Sequence, residues 1–173
     1  MSKVTSVELE EEDVRYIESL IAEGRVRSLK EFVEKCIKFG IAYTLDQWQP
    51  GIFNVGPVRI IILMKKALEL IVEHVPEEDR EDLGRELGEI IASFAQFHRN
   101  IDCSKDWDSA LKFLTELGWG QFKISQDNSI LQVVAPAFPV ELMKGCLEEI
   151  LDVKLEASRL KIDVHQFKIL GKP

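Results

Sequence analysis

The chain has 173 residues, 46% hydrophobic and 30% charged, with a formal net charge of -8. That length holds one ordinary domain, or a small one joined to a medium one. The charge argues against indiscriminate nucleic-acid binding while leaving room for a local DNA-binding face. No apolar run approaches the ~20 residues needed to span a bilayer, and the first residues lack the basic and apolar regions of a signal peptide. Three widely spaced cysteines, Cys36, Cys103 and Cys146, fit a reducing compartment better than a disulfide framework. The expectation is a cytoplasmic protein without a membrane partner.

Residues 4–9 alternate as a short strand would, with Thr5, Val7 and Leu9 on one side and Val4, Ser6 and Glu8 on the other. The acidic run at 10–13 suits a helix N-terminus, where carboxylates meet the positive end of the dipole. Val14, Ile17, Leu20 and Ile21 continue an apolar stripe that Gly24 ends. Ser28 followed three residues later by Glu31 is a capping box. It opens a second helix with Phe32, Val33, Cys36, Ile37 and Ile41 as its stripe.

Strand, helix closed by glycine, and helix opened by a capping box, over residues 3–45, resemble the ribbon-helix-helix family, most specifically in SLKEFVEKCI. The resemblance implies two chains pairing their strands into one antiparallel ribbon over a shared four-helix core. The ribbon would enter the major groove, and the second helix N-terminus would hold a phosphate. Val4, Ser6 and Glu8 would then face the groove, Ser28 would anchor phosphate, and Lys3, Arg25, Arg27 and Lys30 would be auxiliary cations. Glu8 departs from the family pattern. Residues 1–46 carry seven Lys/Arg against ten Asp/Glu, a net of -3, so a degenerate ribbon that only dimerises competes with DNA binding. Either way the lone strand has unpaired amides, and an obligate homodimer is expected.

Residues 47–56 have linker composition, and Pro57 precedes an apolar run at 58–75. Its continuation into KKALELIVEH favours helix over strand. Pro76 breaks it and opens a helix in which Leu83, Leu87, Ile90, Ile91, Phe94 and Phe97 recur at helical spacing. Gly84, Gly88 and Ala92 fall four apart on one face of that helix. A helical glycine costs roughly 1 kcal/mol against alanine, so two imply close approach of a helix, a strand or a ligand. A helix from Trp107 stops at Gly118-Trp119-Gly120, and Phe122 and Ile124 begin a strand. Residues 126–129 have hairpin chemistry and 130–135 make a second strand. A helix at 140–151 has Leu142, Met143, Cys146, Leu147 and Ile150 inward, and strands follow near 153–158 and 164–170.

The order Gly-x3-Gly helix, helix, Gly-x-Gly stop, strand resembles the vinyl-4-reductase-type small-molecule-binding domain, related to the haem-nitric-oxide-binding and transport-particle folds. The tail resembles that family's end, with Glu156 and Phe167 in its characteristic places. Where many members carry paired cysteines, proposed as metal ligands, this chain has Ser158 or Arg159 and His165, so that metal site is expected to be absent. The resemblance implies a pocket for a small apolar or amphipathic molecule. Gly84, Gly88 and Ala92 would form one wall, with Phe122, Ile124, Val133, Phe138 and Met143 opposite, and Arg59 would meet an acidic head group. Close helix packing is the competing reading of the same glycines.

His74, His98 and His165 show no metal-ligand spacing. His74 reads as surface, and a haem ligand at His98 is the minor reading. Cys103 reads as an ordinary cysteine rather than an exposed sensor thiol. Glu148 and Glu149 read as solvated charge. No nucleophile elbow, phosphate loop or dinucleotide fingerprint occurs, so neither an enzyme nor a cofactor is expected.

The fold class expected is α+β. Residues 1–46 form a ribbon-helix-helix, 47–56 a linker, and 57–173 a domain of about four helices and a four-stranded antiparallel sheet. The function expected is a dimeric transcription regulator that binds DNA at its N-terminus and senses a small molecule at its C-terminus. The alternative is a non-enzymatic interaction scaffold.

Overall fold

A computed structural model of the chain describes residues 6–42, 53–55, 58–161 and 163–171. The fold is α+β, with six helices and a four-stranded antiparallel sheet, and it divides into two compact units, Met1–Ile62 and Leu63–Pro173.

In the first unit, helix α1 spans Glu11–Ala22, with Glu11, Glu12 and Asp13 in its first turn as the dipole favours. Gly24 closes it at a φ of +70°, a left-handed conformation that costs a side-chain-bearing residue more than glycine. Helix α2 spans Leu29–Ala42. The serine half of its capping box is formed, the Glu31 amide donating to Ser28 Oγ at 3.2 Å, while Glu31 Oε2 reaches one residue further back and accepts from the Arg27 amide at 2.8 Å. Lys3 and Val4 lie outside the described residues. Ser6 to Glu10 carry no regular secondary structure, so the expected strand is not formed there; a strand needs a partner for its amides, and among the described residues none pairs with this segment. Among the described residues of this unit only Ile17, Leu20 and Val26 are buried. The α2 stripe is not: Phe32 and Val33 are half-buried, and Cys36, Ile37 and Ile41 are exposed.

Two short strands, β1 (Phe53–Val55) and β2 (Val58–Ile60), pair antiparallel and belong to the first unit. This corrects two expectations. Part of the linker composition is a hairpin strand, and the β-branched run after Pro57 starts as a strand, not a helix. Helix α3 begins only at Lys65 and runs to Glu73.

In the second unit Pro76 starts a single 3-10 turn, Glu77–Asp79, that feeds helix α4, Arg80–Arg99. Asn100, left-handed at φ 54°, ends α4. Helix α5, Trp107–Glu116, is capped by Asp106, which accepts from the Ser109 amide at 3.0 Å. Strands β3 (Gln121–Ile124) and β4 (Ile130–Val134) form a hairpin. Helix α6 spans Val140–Leu151, then β5 (Lys154–Lys161) and β6 (Val164–Gly171) complete a sheet of order β3-β4-β6-β5. Leu131 pairs with Phe167 and Val133 with His165, and all four side chains are buried. Leu131, Val133 and Phe167 share one core with α6, whose Leu142, Met143, Cys146, Leu147 and Ile150 are buried as the periodicity predicts. Trp107 Nε1 donates to the Leu151 carbonyl at 3.2 Å, tying α5 to the end of α6.

The glycine face of α4 is covered by α6. A Cβ built on Gly84 would lie 2.2 Å from the Leu142 carbonyl oxygen, and one on Gly88 would lie 2.7 Å from that of Cys146. Reciprocally, a Cβ on Gly145 of α6 would lie 2.0 Å from the Glu81 carbonyl oxygen. The helices approach so closely because neither presents side-chain bulk at the crossing. Of the larger apolar residues of α4, Ile90 and Phe97 are exposed, since the face turned to the core is the one bearing Gly84, Gly88 and Ala95.

Candidate functional site

The expected DNA-contacting residues fall into two places. Arg25, Arg27, Ser28 and Lys30 cluster in the turn between α1 and α2 and the first residues of α2, all exposed. Ser6 and Glu8, also exposed, precede the opposite end of α1, a 12-residue helix and therefore roughly 18 Å long. The single chain does not bring the two sets together. Three of the cations near the turn have an acidic neighbour. Arg25 lies 3.6 Å from Glu23, Lys30 lies 3.7 Å from Glu34, and Lys35 lies 3.0 Å from Glu31. The Arg27 amide, then Lys35, hold the Glu31 carboxyl below its ordinary value. The Arg25 and Lys30 pairs are solvent-exposed and worth little. Beside the turn lies a groove of about 550 Å³, lined by Leu20, Arg25, Val26, Phe32, Lys35, Cys36 and Phe39.

The ligand wall expected along Gly84, Gly88 and Ala92 is overturned. Backbone atoms of α6 occupy the space that the two glycines leave, and Ala92 packs against the core. Val133 and Met143 are fully buried in that core, and Phe122 packs against it half-buried. Arg59 sits exposed on β2 in the first unit. Ile124 borders a shallow depression of about 340 Å³ with Trp107, Lys105 and Asn128. Phe138 of the expected set lines a second cleft.

That cleft, of about 380 Å³, was not foreseen. Pro136, Ala137, Phe138, Pro139 and Val140 give it an apolar floor, and Lys65, Glu69, Glu77, Arg80, Glu141, Asp163 and His165 line the rest. His165 Nε2 is 3.1 Å from the Phe138 carbonyl oxygen, which holds the floor against β6. Trp119 meets Phe138 edge to face with ring centroids 4.7 Å apart. Arg80 Nε donates to the Val75 carbonyl at 3.1 Å, and Lys65 lies 3.8 Å from Glu69. No short-range pattern marks these positions, because they come from α3, α4, the β4–α6 loop and β6.

The remaining candidates resolve simply. Exposed His74 has Nδ1 2.8 Å from the Leu70 carbonyl oxygen, and His98 stacks on Phe94 with centroids 5.2 Å apart. Cys103 is buried, so it is no exposed thiol. Glu148, read as solvated, is buried: its Oε1 accepts from the Leu155 amide at 2.7 Å and its Oε2 from Arg85 at 3.1 Å. Among the described residues no group of three or more His, Cys, Asp or Glu could hold a metal ion, and no helix is long and apolar enough to cross a membrane. No family model, curated protein or solved structure matches the chain.

Proposed function

We propose that the chain is a dimeric DNA-binding regulator whose first unit is completed by a second copy. The observation that carries this reading is the open core of the α1–α2 pair. Among the described residues three are buried there, while Tyr16, Leu29, Ile37 and Ile41 are exposed and a groove beside them is lined by Leu20, Val26, Phe32 and Cys36. A helix pair cannot stand on so small a core, and a second pair laid across it removes that surface from water. The same association would give residues 4–9 a strand partner and set two Arg25-Arg27-Ser28-Lys30 turns side by side as phosphate contacts. In this reading the second unit is the sensor, and the cleft beside Phe138 replaces the glycine face as the seat of an amphipathic molecule. Phe138, Pro139 and Val140 offer apolar contact, and Lys65 and Arg80 offer charge to a head group.

The experiment is DNA binding to a random-sequence duplex and a selected-site library across a salt series. Binding should weaken steeply with salt, Lys30→Ala should lower affinity, and Glu8→Lys should raise it, both effects fading at high salt. Absence of binding at every salt concentration would overturn the regulator reading.

A second reading, an interaction scaffold that uses the first unit only to dimerise, is favoured by the carboxylates beside Arg25, Lys30 and Lys35. It keeps the dimer and predicts no DNA binding.

A further inference from the structure

The chain has three asparagines, Asn54, Asn100 and Asn128. Asparagine is a thermolabile residue. It deamidates when the backbone nitrogen of the next residue attacks its side-chain carbonyl carbon, and a branched neighbour obstructs that approach. Val55 and Ile101 follow the first two and are branched at Cβ, whereas Ser129 follows the third and is not. Residue chemistry therefore makes Asn128 the labile one. It is also exposed, in the β3–β4 turn, with a left-handed backbone at φ 54°.

The turn restrains the attacking group. The Ser129 amide donates to Ser125 Oγ at 3.1 Å and to Asp127 Oδ1 at 3.2 Å. Ser125 Oγ itself donates to Asp127 Oδ1 and accepts from the Ile130 amide at 3.0 Å, and Ser129 Oγ donates to the same carboxylate oxygen at 2.8 Å. The main chain is fixed on both sides. The Asn128 amide donates to the Ser125 carbonyl at 2.9 Å, and the Ser129 carbonyl accepts from the Ile169 amide of β6 at 2.8 Å. To attack, the Ser129 nitrogen must lose the proton that its two acceptors hold, beside an ionised carboxylate that repels the resulting anion. It must also turn toward Asn128 Cγ, which breaks both bonds.

We propose that Asn128 is a conditional modification site, shut against deamidation by the Ser125–Asp127–Ser129 network and opened only when the turn itself opens. In the open turn the deprotonated Ser129 nitrogen forms a bond to Asn128 Cγ, and the Cγ–Nδ2 bond breaks. The Ser129 proton goes to solvent, the departing nitrogen takes a proton from solvent, and ammonia leaves. Water then opens the cyclic imide to aspartate or isoaspartate. Either product adds a carboxylate to the depression that Asn128 lines together with Asp106 and Asp108. Isoaspartate also adds a methylene to the main chain inside the turn. A hairpin that has opened is thus marked covalently.

Peptide-mapping mass spectrometry of the full chain, held in mildly alkaline buffer with and without urea, tests this. Each protein is compared with its own unfolded rate, which removes any effect of a substitution on the intrinsic chemistry. Wild-type Asn128 should convert at least about tenfold more slowly folded than unfolded, because the turn must first open against charge-assisted hydrogen bonds. Ser125→Ala and Asp127→Ala should bring the folded rate toward the unfolded one. Gly145→Ala, which weakens the α4–α6 crossing and leaves the turn intact, should keep Asn128 slow. Equal folded and unfolded rates in the wild type would overturn the proposal, and that comparison needs no variant. A slow folded rate that neither turn variant raises would overturn it too, since the restraint would lie elsewhere. So would an acceleration by Gly145→Ala as large as that by Asp127→Ala, since the opening would then be global. Asp127 is exposed, so its replacement leaves the core untouched, and circular dichroism checks that each variant is folded.

Discussion

Arg85 on α4 donates from Nη2 to Glu148 Oε2 on α6 at 3.1 Å, joining residues 63 apart in sequence beside the glycine crossing. Glu148 also accepts the Leu155 amide and stands 3.6 Å from Lys144, which reaches Glu81 at 2.7 Å; Glu81 in turn pairs with Arg85. One buried carboxylate thus connects α4, α6 and the start of β5. Glu148→Ala would leave the Leu155 amide without its acceptor and Arg85 without its buried partner. The expected cost is about 2–3 kcal/mol, below that of a fully buried pair because Arg85 retains access to water. Glu148→Gln, which keeps an acceptor for Leu155, should cost less. Urea denaturation followed by circular dichroism checks both; a Glu148→Ala variant as stable as wild type would remove this carboxylate from the account of the fold.

The crossing itself makes a sharper prediction. A methyl group at Gly145 or Gly84 meets a carbonyl oxygen at 2.0 or 2.2 Å, and backbone cannot yield as a flexible side chain can. Gly145→Ala and Gly84→Ala should each destabilise by about 1–3 kcal/mol, despite the helix-propensity gain of roughly 1 kcal/mol that alanine normally brings. Thermal unfolding should show both below wild type. A raised melting temperature would mean that the helices separate at little cost.

Asp127 is the acid-sensitive point of the β3–β4 turn. Its carboxylate accepts from Ser125 Oγ at 2.5 Å, from Ser129 Oγ at 2.8 Å and from the Ser129 amide at 3.2 Å, and these bonds lower its pKa from 3.8 to about 2. A depressed folded-state pKa contributes stability that is present above the unfolded value and is lost as pH falls through the folded one. Wild type should therefore lose stability between pH 3.8 and about 2 through this group, and Asp127→Asn should lack that component. Parallel pH titrations of the melting temperature measure the difference, and superimposable curves would contradict it.

Thiol reactivity separates the three cysteines. Cys36 is exposed and Cys103 and Cys146 are buried. Burial, with the Glu149 carboxylate adding to it, pushes the Cys146 thiol up to about 12, and burial with Asp102 and Asp106 raises that of Cys103. Since the thiolate is the reacting species, Cys103 and Cys146 should stay unreactive toward a chromogenic disulfide in the folded protein at neutral pH, whereas all three thiols should react in denaturant. Rapid loss of two or more thiols from the folded chain would contradict the packing of α6.

Local chemistry made much of this protein readable from its sequence. Ser28 and Glu31 announce a helix start because the cap bonds lie within four residues, and Gly24 announces an end because the left-handed closure is a property of that residue. The stripe of α6 reads correctly because Leu142, Met143, Cys146, Leu147 and Ile150 sit on a helix covered on one side by α4 and on the other by the sheet. What the sequence left open is what each face meets. Gly84 and Gly88 declare that something approaches closely, but a ligand and a helix impose the same requirement on a side chain, and only the position of α6 decides for the helix. Ile90 and Phe97 share the period of a core stripe, so periodicity alone turns them inward, whereas packing gives the core to their smaller neighbours. Val58 to Ile60 pair with residues 53–55 because apolar β-branched runs suit strand and helix alike, and the available partner settles the matter. Glu148 was indistinguishable from its neighbour Glu149 until Arg85 and the Leu155 amide were placed around it. Residue type and near-neighbour spacing fix local conformation, whereas a close approach, a buried charge or a cleft such as that beside Phe138 depends on atoms contributed from far along the chain.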